Sequence, residues 1–325
     1  MPTTRGACAR PLHSSPTHQR TRLLTRLALA TAAAALAAST AVPVTLAAPD
    51  KPSIEYVLTE NHGNPEGVAW DPSSQTFFTG TVADGTIYRG TLDDTTVDVW
   101  IAGAAGQAAI GMKVDGGLLY VAGGATGRIT VYDIDTAAVV ATFETGAGGF
   151  LNDLVVTKAG IFVTDSFRPV LWHVTHEQVE AGGGTPATIS VAPEIPFTGG
   201  FALNGIVAFN GGRELIVVHS GLGTLYRIDF TDDGRSITLI DAPPVPGDGL
   251  LVDQGMLIAV LGDSAELARL DVNADHSAAT LLDTLTDPTF QRPSTLARAH
   301  NLYLVVNADF TTSTPPFTLT GLPRQ

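Results

Sequence analysis

A chain of 325 residues that is 44% apolar and only 15% charged, with 34 glycines and 20 prolines, excludes a disordered polymer and fits many short buried strands joined by tight turns. The 32 acidic against 18 basic residues give a formal net charge of −14, which argues against nucleic acid or an anionic membrane surface as partner. A single cysteine, Cys8, excludes an internal disulfide framework and a zinc centre built on several thiolates.

Residues 1–48 differ in kind from the rest. They hold Arg5, Arg10, Arg20, Arg22 and Arg26, no acidic residue, and the apolar run LALATAAAALAA at 27–38 before small residues near Ala41 and Ala48. A basic segment, a short apolar stretch and small residues at plausible cut points describe a secretory signal. The apolar run of about 12 residues is short of the ~20 that a membrane-spanning helix needs. There is no twin-arginine pair, and Cys8 precedes the apolar run, so neither a twin-arginine signal nor a lipoprotein attachment is indicated. Removal of this segment leaves 13 basic against 32 acidic residues, a mature net charge of about −19, and no cysteine. The expected mature protein, residues 49–325, is therefore exported, free of membrane, monomeric, and dependent on its core and on a bound ion for stability.

After IEYVLTE at 54–60, one phrase recurs six times: a first residue, usually polar and usually followed by Gly, opening a strand. The copies start at Glu66 (EGVAWD), Ile110 (IGMKVD), Asn152 (NDLVVT), Asn204 (NGIVAF), Asp248 (DGLLVD) and Ser294 (STLARA), in steps of 44, 42, 52, 44 and 46 residues. That period belongs to propeller blades rather than to helical solenoids. Within the first copy GVAWD, TFFTGT, TIYRGTL and VDVWIAG read as four strands; GMKVD, LLYVAG, GRITVYDID and VVATFE repeat the pattern in the second, and GIVAF, ELIVVHS, GTLYRIDF and SITLID in the fourth. Apolar alternation in runs of 4–7 residues between Gly, Asp and Asn is the strand and hairpin signature. HEQVEAGGGTPA at 176–187, a helical turn or surface loop, accounts for the 52-residue step. The sixth copy is one strand short, and IEYVLTE is the spare strand. The expectation is an all-β, six-bladed β-propeller with four-stranded blades, the last closed by the N-terminal strand.

Innermost strands line the central channel of a propeller, so residues at equivalent positions at their starts converge on one mouth. Glu66, Asn152, Asn204 and Asp248 would bring two carboxylates and two amide oxygens together. Such hard donors suit a divalent metal and Ca²⁺ above softer ions. Asn-Gly and Asp-Gly are also common turn dipeptides, but four first positions in register at strand starts favour a ligand ring. Ile110 and Ser294 fill the remaining places, one without ligating capacity and one able to touch water or substrate. His62, His219 and His300, together with Asp165 and Asn307, stand as pocket residues or as packing and turn caps, while Trp70, Trp100 and Trp172 read as blade packing. GGATG at 123–127 lacks a strand-to-helix setting and reads as a hairpin turn. No GxSxG elbow, HExxH pair or P-loop occurs.

The stretches NPEGVAWDP (64–72), LNDLVVTKAGIFVTDS (151–166), LNGIVAFNGGRELIVVHSGLGTLYRID (203–229) and PGDGLLVD (246–253) resemble the senescence marker protein/gluconolactonase group of six-bladed propellers. More distantly they are similar to diisopropyl-fluorophosphatase, the paraoxonases and strictosidine synthase-like proteins. The resemblance spans most of residues 54–321 and implies that Glu66, Asn152, Asn204 and Asp248 bind a divalent metal. It further implies hydrolysis of a small-molecule lactone or other ester, with Asp248 as the candidate catalytic base or nucleophile. The alternative is a non-catalytic binding platform with a structural ion. In the second copy, where sugar lactonases place polar or basic side chains, GAAGQAA ahead of IGMKVD offers only Gln107, which argues against a sugar acid.

Overall fold

A computed structural model describes residues 44–45, 51–232 and 234–324. The signal-like segment at 1–48 lies outside the described residues apart from Val44–Thr45. The remainder is almost entirely β, and among the described residues no helix is long and apolar enough to cross a membrane.

Each copy of the repeated phrase opens an antiparallel meander. The first runs Pro65–Asp71, Thr76–Thr81, Ile87–Thr91 and Thr96–Ile101. The third runs Leu151–Thr157, Gly160–Asp165, Val170–Val174 and Ala187–Ser190. Between the last two strands of this third sheet lies a short α-helix, His176–Glu180, started by a capping box in which the Thr175 hydroxyl and the Gln178 side chain satisfy each other's backbone N–H groups. The 52-residue step is thus a helical turn.

The second and fourth copies each form a separate four-stranded sheet, and the fifth adds the two-residue strand Val44–Thr45 outside its fourth strand. The sixth contributes Pro293–Ala299, Leu302–Asn307 and Thr318–Pro323. Ile54–Leu58 pairs antiparallel with the last of these, Tyr56 opposite Leu319, and meets Thr96–Ile101 in parallel over two residue pairs.

Successive sheets face one another across apolar clusters, and each cluster draws on two neighbours in the chain. Tyr120, Ile129 and Phe143 of the second sheet pack with Leu151, Leu154 and Val163 of the third; Phe162 and Leu171 of the third pack with Ile206, Leu215 and Ile228 of the fourth. The series returns on itself, because Phe77 and Tyr88 of the first sheet share a cluster with Tyr56 and with Leu304, Val306 and Leu319 of the sixth. Sheets stacked face to face around a common axis form a β-propeller.

The axis explains the glycine of the phrase. A Cβ on Gly111 would lie 2.4 Å from the Asn152 carbonyl oxygen, and one on Gly205 would lie 2.5 Å from that of Asp248. These close approaches carry hydrogen bonds: Gly111 N donates to Asn152 O at 2.8 Å, Gly205 N to Asp248 O at 2.9 Å and Gly249 N to Ser294 O at 2.8 Å. Ser294 Oγ then donates to Glu66 O at 2.7 Å, and Thr164 Oγ1 links the third copy to Asn204 O at 2.8 Å. Inner strands are therefore stitched to one another at the phrase's first two residues.

Candidate metal and catalytic site

The stitching interrupts the sheets where the candidate ligands stand. Strand register shifts between Pro65 and Val68, between Leu151 and Leu154, and between Leu203 and Ile206. These bulges contain Glu66, Asn152 and Asn204, while Asp248 lies two residues ahead of the strand Leu250–Asp253. A bulge frees a residue from strict alternation and re-aims its side chain. All four side chains border one tight crevice at the axis, together with Asp153, Lys113 and Thr295.

Hydrogen bonding fixes their directions. Ser166 Oγ donates to Leu203 O at 2.6 Å, so its lone pairs receive Asn152 Nδ2 at 3.0 Å. The Asn152 amide can then only turn its Oδ1 into the crevice. That oxygen is buried without a hydrogen-bond partner, as are Glu66 Oε2 and Asp153 Oδ2. The other Asp153 oxygen accepts from Lys113 Nζ at 3.0 Å and Leu154 N at 2.8 Å. Asn204 and Asp248 border the same crevice.

Buried acceptors without donors are costly, at about 1–3 kcal/mol each and more for a charge. The Glu66 carboxyl is held well above the usual carboxylate range, first by burial and then by the nearby Asp248 and Asp153, with Lys113 acting against them. Asp248, an edge of which still reaches solvent, is raised to about 7, chiefly by burial and by Asp153, while Asn204 and Arg292 oppose the shift. An oxygen set that lacks donors and resists ionisation without a counter-charge has the chemistry of a hard-cation site. The set mixes carboxylates and amides; no group of three or more His, Cys, Asp or Glu among the described residues is arranged to hold a metal by itself.

Above the crevice opens a cleft of 580 Å³, and Glu66, Asn152, Asn204 and Asp248 also form its floor. Its walls carry Val82, Ile110, Phe150, Phe201, Pro246 and Phe310, with Ser220, Asp263 and Arg292 as the polar side chains. Ile110, the first position without ligating capacity, thus becomes apolar wall. Ser294 does not enter the cleft; its hydroxyl is committed to the Glu66 backbone.

The other sequence candidates resolve into supports. Asp165 is fully buried and accepts from Phe150 N, Phe167 N and Arg168 N, and its second oxygen takes Arg168 Nε at 2.6 Å and the Trp172 indole at 3.1 Å. It caps the loops that border the cleft. Asn307 accepts from Gln291 N at 3.0 Å and so holds the loop carrying Arg292. None of the three histidines borders the cleft: His62 pairs with Asp84 and Glu60, buried His219 bonds Pro196 O, and His300 packs against Trp70. Sequence reasoning passed over Asp153, Lys113, Ser166 and the phenylalanine wall. Only Asp153 carried a signal, as the residue replacing glycine in the third copy.

No family model and no curated protein matches the chain. Solved structures do. It is similar to a gluconolactonase from Xanthomonas campestris, 19% identical over 80% of this chain and 86% of that one with a TM-score of 0.58. It is likewise similar to the calcium-binding protein regucalcin from Agrobacterium tumefaciens, 13% identical over 83% and 95% with a TM-score of 0.59. The WD40 propeller domain of Doa1 aligns at 11% identity over 81% and 80%, TM-score 0.55. The gluconolactonase and senescence marker propellers that the sequence resembles are thus among its structural neighbours, and at these identities what is shared is the β-propeller fold.

Proposed function

We propose that this chain is a six-bladed propeller, closed by Ile54–Leu58 as the fourth strand of its last blade, that acts after export as a metal-dependent hydrolase of lactones or other ester-type small molecules. Six copies of one phrase, clusters between all consecutive sheets and the strand pair Tyr56–Leu319 support the blade count and the closure. Glu66, Asn152, Asn204 and Asp248 are the residues that would hold a divalent cation, Ca²⁺ by the hardness of the donors. The observation that carries this reading is the pair of buried, unpartnered oxygens, Glu66 Oε2 and Asn152 Oδ1, at the floor of an open cleft.

A cation bound there supplies Lewis acidity toward a substrate carbonyl or phosphoryl oxygen. The side chains supply the rest. Asp248 borders both crevice and cleft and is the group we assign to take a proton from an attacking water or to attack the acyl centre itself. Glu66 lies deeper and serves as ligand. Lys113, paired with Asp153 behind the site, offsets the concentrated negative charge. A platform with a purely structural ion would need no access from solvent to these residues, whereas the cleft borders all four. Metal analysis of purified protein, followed by a panel of lactones and phosphoesters with and without chelator, tests the reading. Hydrolysis lost to chelator and restored by Ca²⁺ is expected; a metal-free protein or chelator-resistant turnover would contradict it.

A further inference from the structure

The cleft has a chemical character that the metal ligands do not explain. Three phenylalanines are strongly exposed among the described residues, Phe167, Phe201 and Phe310, at 45, 48 and 43%. All three stand at this mouth. Phe201 and Phe310 line the cleft, while Phe167 packs on Phe201 and Phe150, with ring centroids 5.1 Å and 5.6 Å apart. Phe150 and Phe201 complete the trio edge to face at 5.1 Å. Exposed aromatic side chains gathered at one pocket mark a surface that a ligand covers.

Each ring is presented by a clamped loop. Phe150 and Phe167 hang from the Asp165 carboxylate through their backbone N–H groups at 3.0 Å and 3.1 Å. Phe201 follows Gly199 and Gly200, whose φ angles of 99° and 76° only glycine adopts readily, and its carbonyl accepts from Gly221 N at 3.3 Å. Phe310 projects from a turn in which Asp309 binds the Thr312 and Thr314 N–H groups and Asn64 Nδ2 holds the Ala308 carbonyl at 2.7 Å. Loops fixed in this way bind without a large ordering cost.

Two polar side chains of the walls, Ser220 and Arg292, already hold protein partners, while Asp263 is largely exposed. Ser220 Oγ donates to Gly247 O at 2.5 Å, and Arg292 is bonded to Asp263 at 2.6 Å and Thr311 at 2.9 Å. A polyhydroxylated ring would leave water here for walls that are mainly aromatic and aliphatic, which disfavours it. We propose that the substrate of this site is a lactone or ester bearing an extended apolar alkyl or aryl group, which lies along Phe150, Phe201 and Phe310 while its carbonyl reaches the floor. This rests on the hydrolase reading for the reaction, but the recognition stands on the wall itself.

The test has two arms. Calorimetry on the calcium-loaded protein with non-hydrolysable lactams carrying side chains from methyl to hexyl should show affinity rising about fourfold per added methylene. The slope should flatten in the Phe201→Ala/Phe310→Ala variant, whose replaced rings are exposed and leave the fold intact. Affinity independent of chain length, an unchanged slope in the variant, or tighter binding of a polyhydroxylated analogue would overturn the proposal. The second arm measures hydrolysis of the matching lactones. Chain-length-dependent binding without turnover would remove the hydrolase reading and keep this one; turnover indifferent to chain length would do the reverse.

Discussion

Removing the cation should make stability depend on pH in one particular direction. Without a counter-charge Asp248 is raised from 3.8 to about 7, and Glu66 is raised as well. A carboxyl with a raised folded-state value holds its proton more tightly in the folded chain than in the unfolded one. Below about pH 4 both states are protonated and nothing is lost; as pH rises from about 4 to 7 the unfolded chain ionises first and the folded state loses ground. The shift of Asp248 corresponds to on the order of 2–4 kcal/mol, the lower figure allowing for the edge that meets water, and translates to roughly 5–10 °C in melting temperature for a domain of this size. A cation that binds the ionised site removes this penalty. Melting curves in chelator and in saturating Ca²⁺ should therefore diverge as pH rises from 5 to 8, and the divergence should disappear in Glu66→Gln/Asp248→Asn. An increment from Ca²⁺ that is equal at pH 5 and pH 8 would refute the reasoning.

Other substitutions probe separate parts of the site and the fold. Asp248→Asn keeps the side-chain shape and should lower turnover by at least about 10²-fold with little change in far-UV circular dichroism; retained activity would remove Asp248 from catalysis. Ser166→Ala deletes the acceptor that orients Asn152, so Ca²⁺ affinity should fall roughly 10-fold or more while Ser166→Thr rescues part of it. Unchanged affinity in Ser166→Ala would show that Asn152 is not a ligand. Deleting residues 49–60 removes the fully buried Tyr56 and its ladder with Thr318–Pro323. The loss should exceed about 3–5 kcal/mol and appear as a collapse in melting temperature, whereas an unaltered melt would mean that the strand does not close the domain.

The repeat and the convergence of its first residues were legible because both answer to one local constraint. Where inner strands converge, a backbone carbonyl from the next copy sits where a Cβ would be, as at Gly111 and Gly205. Four of the six copies therefore carry glycine at the second position, and the first residue falls at the axis. The third and sixth copies break the pattern with Asp153 and Thr295, and the Asp153 backbone N–H is met by the Thr164 hydroxyl oxygen.

What the sequence concealed lies across long separations. Lys113 meets Asp153 from 40 residues away, and Ser166 reaches the Leu203 carbonyl 37 residues on. Phe150, Phe201 and Phe310 belong to loops of three different sheets with no shared spacing. Their convergence follows only from the arrangement of those sheets around the axis. Asp165 shows the same limit: VTDS reads equally as a pocket lining or a turn cap, and its burial together with the loop N–H groups it accepts decides for the cap.

The central claim is that Glu66, Asn152, Asn204 and Asp248 form a divalent-cation site. Isothermal titration of Ca²⁺ into chelator-treated mature protein at pH 8 tests it most directly, with the Glu66→Gln and Asn152→Ala variants alongside. The account predicts saturable binding to wild type that each substitution weakens by at least about 10-fold. Saturable binding that neither substitution alters, or no binding to the folded wild-type protein, would contradict it.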